Sequence, residues 1–377
     1  MSSIRFILAS LLLLAVSCTG GRRGYSVEPE QVPDTFHVTN PYIDRFMEEV
    51  DYTGDDEYTI THILDYPGGG PGEADIPPAV HLSWENPGAV TVRVQERPET
   101  ETSWGWDYAV PQDSSFIDIY NLVPKRDYEY FVLGADGDTL KRGLFYTVGT
   151  LHHAFMRPSV RNARDLGGWK TLDGRTVAYR KLYRGGRIVG EDGTSVYINK
   201  TGRADARALG IGAEIDLREE GKMPEFSPLG SGVTFCAPGF PLGGSTMLGE
   251  YKPGVAQCFH FIVRSLHEGR GVFFHCSAGR DRTGTMTALL LGVLGVSEGD
   301  IGKEYELTYF APRGYSMHGK QPDEYYHTRI KGVRNSCRYI RMNYGPCDTF
   351  QKCCENYLMA IGVSRAEIED FKNLVLE

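Results

Sequence analysis

Short runs of alternating apolar and polar residues fill the chain from about residue 56 to residue 152. Gly, Pro, Asn and Asp residues separate the runs, and Asp136-Gly137 is a hairpin-turn sequence. A period of two is typical of strands that bury one face. Seven strands are predicted, at residues 58–64, 79–84, 90–95, 104–110, 116–120, 128–133 and 143–148. This number of short strands with turn signals predicts an all-β sandwich over residues 56–152.

Strand and helix signals alternate from residue 157 to residue 377. Residues 212–217 and 271–275 are apolar runs of strand length, whereas residues 255–268 and 283–294 have the length and apolar spacing of helices. This alternation predicts a second domain of the α/β class, with a largely parallel central sheet flanked by helices.

A short helix is predicted before the sandwich. Asn40 provides a side-chain acceptor at the N-cap, and Pro41 suits the first helical position. The predicted apolar face consists of Tyr42, Ile43, Phe46 and Val50. Residues 19–35 have no apolar period, so we interpret residues 19–55 as a tether with this helix.

The first 18 residues have the pattern of an export signal. Arg5 precedes an apolar run at residues 6–16 that is too short to span a bilayer as a helix. Residues 14–18, Leu-Ala-Val-Ser-Cys, resemble the bacterial lipoprotein signal, which implies lipid attachment at Cys18. The expectation is an exported protein, anchored by lipid to a bacterial membrane in the periplasm or at the cell surface. Signal cleavage without lipid attachment is the alternative.

Charge and cysteine content narrow the function classes. The net charge of −9 argues against a nucleic-acid partner, because nucleic-acid-binding surfaces are usually basic. In an exported protein, the closely spaced cysteines Cys337, Cys347, Cys353 and Cys354 either form at least one disulfide or remain unpaired. Their spacing does not suit a four-ligand zinc site, and no metal or organic cofactor is implied.

Residues 276–282, here named the Cys276 loop, have a composition suited to binding phosphate. An apolar strand ends at His275, and a helix is predicted from Thr283. Backbone amides at a helix N-terminus can stabilise the charge that spreads over three phosphoryl oxygens in the transition state. The small residues that allow these amides to turn inward are Ser277, Ala278 and Gly279.

Three side chains beside these amides supply the chemistry. Arg282 has a planar guanidinium that can hold two phosphoryl oxygens, which a lysine cannot do. Cys276 lies where the helix N-terminus favours the thiolate, the nucleophilic form of cysteine. Thr283 can donate a hydrogen bond to the Cys276 sulfur and help it to leave in a second step.

These residues match the His-Cys-x5-Arg-Thr/Ser signature, and the domain therefore resembles the protein tyrosine phosphatase superfamily. The resemblance implies hydrolysis of phosphate monoesters through a phosphocysteine on Cys276, with residues 277–282 binding the phosphate and His275 orienting the loop. Residues 162–168, 183–186 and 215–218 stand in the order seen in a bacterial branch that includes the mycobacterial secreted tyrosine phosphatase. The similarity covers residues 157–377. Where that branch has Lys, this chain has Arg280.

The predicted sandwich resembles a fibronectin type III or immunoglobulin-like module. The residues that carry this resemblance are Trp84, Leu122, Pro124, Tyr128 and Tyr130. No catalytic constellation is visible in this part of the chain, so the module is expected to position or recognise a partner, or to act as a spacer.

Asp281 is the candidate general acid. No Asp lies between Asp216 and Asp281, and the nearby loop carboxylates are Glu225 and Glu250. The related branch is thought to use its loop aspartate, which implies that Asp281 protonates the leaving oxygen and later activates water. The alternative is that Asp281 only braces the loop. Residues 162–168 are expected to brace the loop, with contact to substrate as the alternative, and a structural ion pair is expected for Asp216 with Arg218.

The sequence is consistent with three functions. The first is hydrolysis of phosphotyrosine in proteins. The second is hydrolysis of phosphoinositides or other small phosphoesters, since Arg280 and Arg282 together would suit a more anionic head group. The third, of another class, is non-catalytic binding of a phosphorylated ligand. Residues 310–341, rich in Tyr and basic residues, are interpreted as a substrate lid or as a solvated insertion.

Overall fold

The alternating runs of the N-terminal part form strands, as predicted. The computed structural model describes residues 34–49, 76–85, 88–98, 103–157, 160–189, 198–219, 221, 223–311 and 331–377. Strands in the N-terminal part are β1 (Asp34–His37), β2 (Val80–Ser83), β3 (Ala89–Arg97), β4 (Gly105–Ala109), β5 (Phe116–Ile119), β6 (Asp127–Gly134) and β7 (Thr139–Val148). Strand β1 was not predicted, because this region was assigned to the tether. The strand predicted at residues 58–64 lies outside the described residues.

These strands form two sheets. Five of them are ordered β1-β7-β6-β3-β4, antiparallel except for β1 beside β7, and β2 pairs with β5 in a separate antiparallel sheet. Side chains of both sheets, such as Leu82 and Val92, share one apolar cluster. Gly137, with φ of 83°, lies in the turn between β6 and β7, which confirms the predicted hairpin. The sandwich and fibronectin-like classifications stay predictions.

The C-terminal part contains a largely parallel five-stranded sheet, as predicted. Its strands are β8 (Arg164–Asp165), β9 (Leu182–Gly185), β10 (Ile211–Asp216), β11 (Thr234–Cys236) and β12 (Gly271–His275). Their order is β11-β10-β12-β9-β8, and only β8 is antiparallel to its neighbour. Because parallel strands end at the same edge of a sheet, the loops after β9, β10 and β12 meet there.

Helices cover this sheet and extend its core. The described helices are α1 (Pro41–Glu49), α2 (Lys200–Ala208), α3 (Gly244–Glu250), α4 (Lys252–His267), α5 (Asp281–Leu294), α6 (Glu298–Glu306), α7 (Lys331–Tyr344), α8 (Phe350–Ala360) and α9 (Arg365–Val375). Helix α5 begins two residues before the predicted start. The carboxylate of Asp281 suits the first turn, where the helix dipole is positive. Among the described residues, no helix combines the length and apolar content needed to cross a bilayer.

Helix α1 packs on the core of the C-terminal part rather than forming a free tether. Ile43 and Phe46 are buried there, and the ring of Phe46 lies 5.6 Å from that of Phe310. The predicted face is wrong at Tyr42, which is 43% exposed, because its position falls outside the stripe defined by Ile43 and Phe46. Val50 lies outside the described residues, as do Cys18 and the predicted signal.

The N-terminal sheets contact the C-terminal part through specific polar groups. Both parts belong to one unit, Pro33–Glu377. Trp104 Nε1 donates to the Ala208 carbonyl at 2.8 Å, and Arg180 forms an ion pair with Glu96 at 2.7 Å. The Arg180 guanidinium also lies 4.8 Å from the centre of the Trp104 ring. These contacts hold the β3–β4 end of the larger sheet against the C-terminal part.

Candidate active site

The Cys276 loop connects the buried strand β12 to helix α5. Cys276 is 2% exposed and lies at the base of the loop, whereas Ser277, Ala278 and Arg282 are partly exposed. Gly279 has a φ of 67°, and a Cβ built on it would lie 2.5 Å from the carbonyl carbon of Gly185. Glycine is therefore required at residue 279 by both backbone conformation and space.

Carbonyl groups of the loop are held on its outer side. Asn162 Nδ2 donates to the carbonyls of Ala278 at 3.2 Å and Gly279 at 2.8 Å, and the amide of Arg187 donates to the Ser277 carbonyl at 3.3 Å. In a trans peptide unit, the C=O group and the N–H group point in opposite directions. The amides in the same peptide units, those of residues 278–280, are therefore directed to the inner side of the loop.

A buried ion network supports this arrangement. Glu304 Oε1 accepts from Arg164 Nε at 2.8 Å, and Glu304 Oε2 accepts from Arg184 Nη1 at 2.7 Å. Arg184 Nη2 donates in turn to the Gly279 carbonyl, and Arg164 Nη1 donates to Asn162 Oδ1. The bracing role predicted for Asn162 and Arg164 has this physical basis. Glu304 was missed in the sequence, because nothing links it to a loop 25 residues away until helix α6 folds back.

The sulfur of Cys276 is in an environment that favours the thiolate. Burial by itself would raise the pKa of the Cys276 thiol, but the positive charge of Arg282 and hydrogen bonds from the hydroxyl and amide of Thr283 outweigh burial. The pKa of Cys276 is therefore lowered. The Thr283 hydroxyl is buried, and no hydrogen-bond partner is found for it in the described part of the chain, which leaves it available to the Cys276 sulfur.

His275 is anchored behind the loop. Its Nε2 lies 2.9 Å from Glu214 Oε1, and both side chains are fully buried. Burial alone would lower the pKa of His275, but the carboxylates of Asp216 and Glu214 outweigh it and raise that pKa. Asp216 is itself paired with Arg218 at 2.7 Å, the structural pair expected from the sequence.

Arg282 is positioned by the segment that precedes helix α3. Its Nη1 donates to the Phe240 carbonyl at 2.9 Å, and its Nη2 lies 3.4 Å from Ser277 Oγ. A Cβ built on Gly243 would lie 2.8 Å from the Arg282 amide nitrogen, so this segment packs directly on the first turn of α5. The sequence showed no signal for Phe240 or Gly243.

Asp281 contacts two side chains in the structure. Arg280 donates to both of its oxygens, with Nε 3.3 Å from Oδ1 and Nη2 3.1 Å from Oδ2. Tyr305 donates its hydroxyl proton to Oδ1 at 3.1 Å. The Asp281 side chain is 42% exposed. Asp281 is thus held by two side chains and remains accessible to a substrate, and its role as general acid stays a prediction.

The structure describes some of the features considered outside the loop: the cysteines, part of residues 310–341 and the candidate metal ligands. Cysteines in the described residues are all free thiols, so none of the disulfides considered is present among them. Within residues 310–341, residues 312–330 are not described, and helix α7 contains the C-terminal end. Among the described residues, no three His, Cys, Asp or Glu side chains are grouped as metal ligands would be.

The lowered pKa of Cys276 predicts a specific pH response. The thiolate is present above the lowered pKa and is lost as the pH falls through it. Thr283→Ala removes one stabilising hydrogen bond, so the titration should move to higher pH. The ultraviolet thiolate absorbance, taken as the difference from Cys276→Ser at each pH, measures this. An unchanged titration in Thr283→Ala would show that the hydroxyl does not stabilise the thiolate.

Comparisons with known proteins agree with this geometry. A model described as "Tyrosine phosphatase family" matches residues 156–237 and 244–377, more than half of the chain. A protein of Cupriavidus necator named as a tyrosine-protein phosphatase is 28% identical over 176 residues, covering 41% of this chain and 62% of that relative. A tyrosine-protein phosphatase of Nostoc commune is 29% identical over 141 residues, covering 33% of this chain and 45% of that relative. The chain therefore spans less than two thirds of the length of these relatives.

Solved structures are similar over part of the chain. P. aeruginosa TpbA is 14% identical with a TM-score of 0.27, covering 44% of this chain and 90% of its own. Human DUSP28 is 11% identical with a TM-score of 0.25, covering 42% of this chain and 90% of its own. The family match includes the Cys276 loop, the buried network and helices α3 to α9. The chain belongs to the tyrosine phosphatase family.

Proposed function

We propose that this protein hydrolyses phosphate monoesters, with phosphotyrosine as the preferred substrate, through a covalent phosphocysteine on Cys276. One observation carries the proposal. The charge of Arg282 lowers the pKa of the Cys276 thiol, and the carbonyls of the loop that follows are held by Asn162, which leaves the amides of the same peptide units directed the other way. This is the arrangement that an in-line attack on phosphorus requires.

In the first step the Cys276 thiolate attacks phosphorus. The sulfur–phosphorus bond forms while the bond to the ester oxygen breaks, and that oxygen takes a proton from Asp281 as it leaves. The amides of residues 278–280 and Arg282 stabilise the charge on the three phosphoryl oxygens. The resemblance to the bacterial branch with a loop aspartate supports the role of Asp281.

In the second step water replaces the sulfur. The Asp281 carboxylate accepts a proton from the attacking water, a new oxygen–phosphorus bond forms, and the sulfur–phosphorus bond breaks. The hydroxyl of Thr283, which contributes to the lowered pKa of Cys276, stabilises the departing thiolate. Inorganic phosphate leaves, and Asp281 is again protonated for the next cycle.

Arg280 bears on the choice of substrate. It is 7% exposed, and its guanidinium donates to both oxygens of Asp281. The presence of both Arg280 and Arg282 in the loop was the reason to consider a more anionic substrate such as a phosphoinositide. Because Arg280 is buried and engaged, the structure favours a substrate with a single phosphate. The presence of Cys276, Asp281 and Arg282 in one site argues against a non-catalytic binding protein.

A substrate panel tests the proposed function. The full chain is assayed on a phosphotyrosine peptide, a phosphoserine peptide, a phosphoinositide and an inositol phosphate, with Cys276→Ser as the background. We expect kcat/KM for phosphotyrosine to exceed the others by about 10-fold or more, a difference of about 1.4 kcal/mol in transition-state free energy. A preference for the phosphoinositide would overturn this substrate assignment and select the second function.

A further inference from the structure

We propose that Tyr305 is a positioning residue for the general acid: its hydroxyl holds Oδ1 of Asp281 and leaves Oδ2 as the oxygen that gives and takes the proton. This inference rests on the proposed role of Asp281 as acid and base. It assigns to helix α6 a part in the reaction, although α6 lies outside the Cys276 loop.

The contact joins a buried donor to an accessible acid. The Tyr305 hydroxyl lies 3.1 Å from Asp281 Oδ1, and Tyr305 is 1% exposed. A carboxylate on the first turn of a helix can otherwise rotate among several side-chain conformations, each open to water. One fixed donor selects the conformation in which Oδ1 faces the protein.

Close packing fixes the tyrosine ring. A Cβ built on Gly284 would lie 2.6 Å from the ring of Tyr305, so the ring occupies the space that any other residue at position 284 would fill. The ring also contacts Tyr309 edge to face, with 6.5 Å between centroids. Glu304, its neighbour in α6, is bonded to Arg164 and Arg184. The hydroxyl is therefore held in place by the same network that supports the loop.

The two carboxylate oxygens have unequal partners. Oδ1 accepts from Tyr305 and from Arg280 Nε, whereas Oδ2 accepts only from Arg280 Nη2 among the bonds found for the described residues. Burial, and next the charge of Asp281, raise the pKa of Tyr305 well above its ordinary value, so its hydroxyl remains a donor. An oxygen with two donors is the weaker proton acceptor, which leaves Oδ2 to bind the proton.

The dependence of rate on the leaving group tests this role. Tyr305→Phe keeps the ring that packs on Gly284 and removes only the hydroxyl. We expect kcat/KM for phenyl phosphate, which has a poor leaving group, to fall about 10-fold, less than the roughly 10²- to 10⁴-fold cost of losing acid catalysis completely, because Asp281 itself remains. For nitrophenyl phosphate, whose leaving group needs little protonation, kcat/KM should change by less than about 2-fold, because kcat/KM does not include the second step in which Asp281 acts as base. Tyr357→Phe is the matched control, because its buried hydroxyl donates to the Leu248 carbonyl at 3.0 Å.

Asp281→Asn separates failure of this inference from failure of the proposed acid. If Asp281→Asn lowers kcat/KM for both esters equally, the acid role falls, and the role of Tyr305 falls with it. If Asp281→Asn is selective and Tyr305→Phe is not, only the Tyr305 assignment is overturned. The double variant with both Tyr305→Phe and Asp281→Asn tests whether the two residues act together. We expect it to be no more selective than Asp281→Asn alone, because the two residues act as one unit, whereas additive effects would contradict the proposal.

Discussion

Cys276→Ser is expected to lower the turnover of a phosphotyrosine peptide on the order of 10⁴-fold or more. A serine hydroxyl has a much higher pKa than a thiol, so the charge of Arg282 and the bonds from Thr283 are not sufficient to ionise it. Initial rates measure this loss. Acid-quenched wild-type enzyme, analysed by mass spectrometry during turnover, should carry phosphate on the peptide that contains Cys276.

Cys258→Ser is the matched control. Cys258 is also a buried cysteine of the same core, but it lies in helix α4, outside the loop. Burial, and next its contact with Cys236, raise the pKa of its thiol, so it stays a neutral thiol. Its replacement should leave catalysis nearly unchanged. Retention of activity in Cys276→Ser, or a phosphate adduct on a residue other than Cys276, would contradict the covalent mechanism.

Glu304→Gln is expected to destabilise the fold by about 3–5 kcal/mol, because it leaves Arg164 and Arg184 buried without a negative charge between them. Glutamine has nearly the same shape, so the effect reports charge rather than packing. The midpoint of urea unfolding and its slope measure the change. Activity should fall as well, since Arg184 also holds the Gly279 carbonyl.

The control for this loss is an ion pair on the surface. Asp107 and Arg93 form two hydrogen bonds, yet both side chains are about half exposed. Asp107→Asn should cost less than about 1 kcal/mol, because water replaces the lost contacts. If Glu304→Gln shifts the unfolding midpoint no more than Asp107→Asn does, the buried network does not stabilise this fold.

The features that the sequence determined by itself are mostly those formed by residues close together in the chain. The run from β12 through the Cys276 loop to α5 is contiguous, so its strand, loop and helix were predictable from apolar pattern and residue type. The family signature at Cys276 and Arg282 lies in the same short segment. Alternation of strands and helices was also sufficient to predict the parallel sheet, because such a pattern has few other solutions.

The tertiary structure decided what depends on residues far apart in the chain. Glu304 and Tyr305 reach the loop only because α6 turns back on α5, and Asn162 reaches Gly279 across more than a hundred residues. The burial of Arg280, which bears on the substrate, follows from packing that no local pattern records. Local sequence therefore specified Cys276, the proposed nucleophile. Long-range packing placed the groups that hold the loop and contact Asp281, the proposed acid, since such contacts form only when separate elements meet.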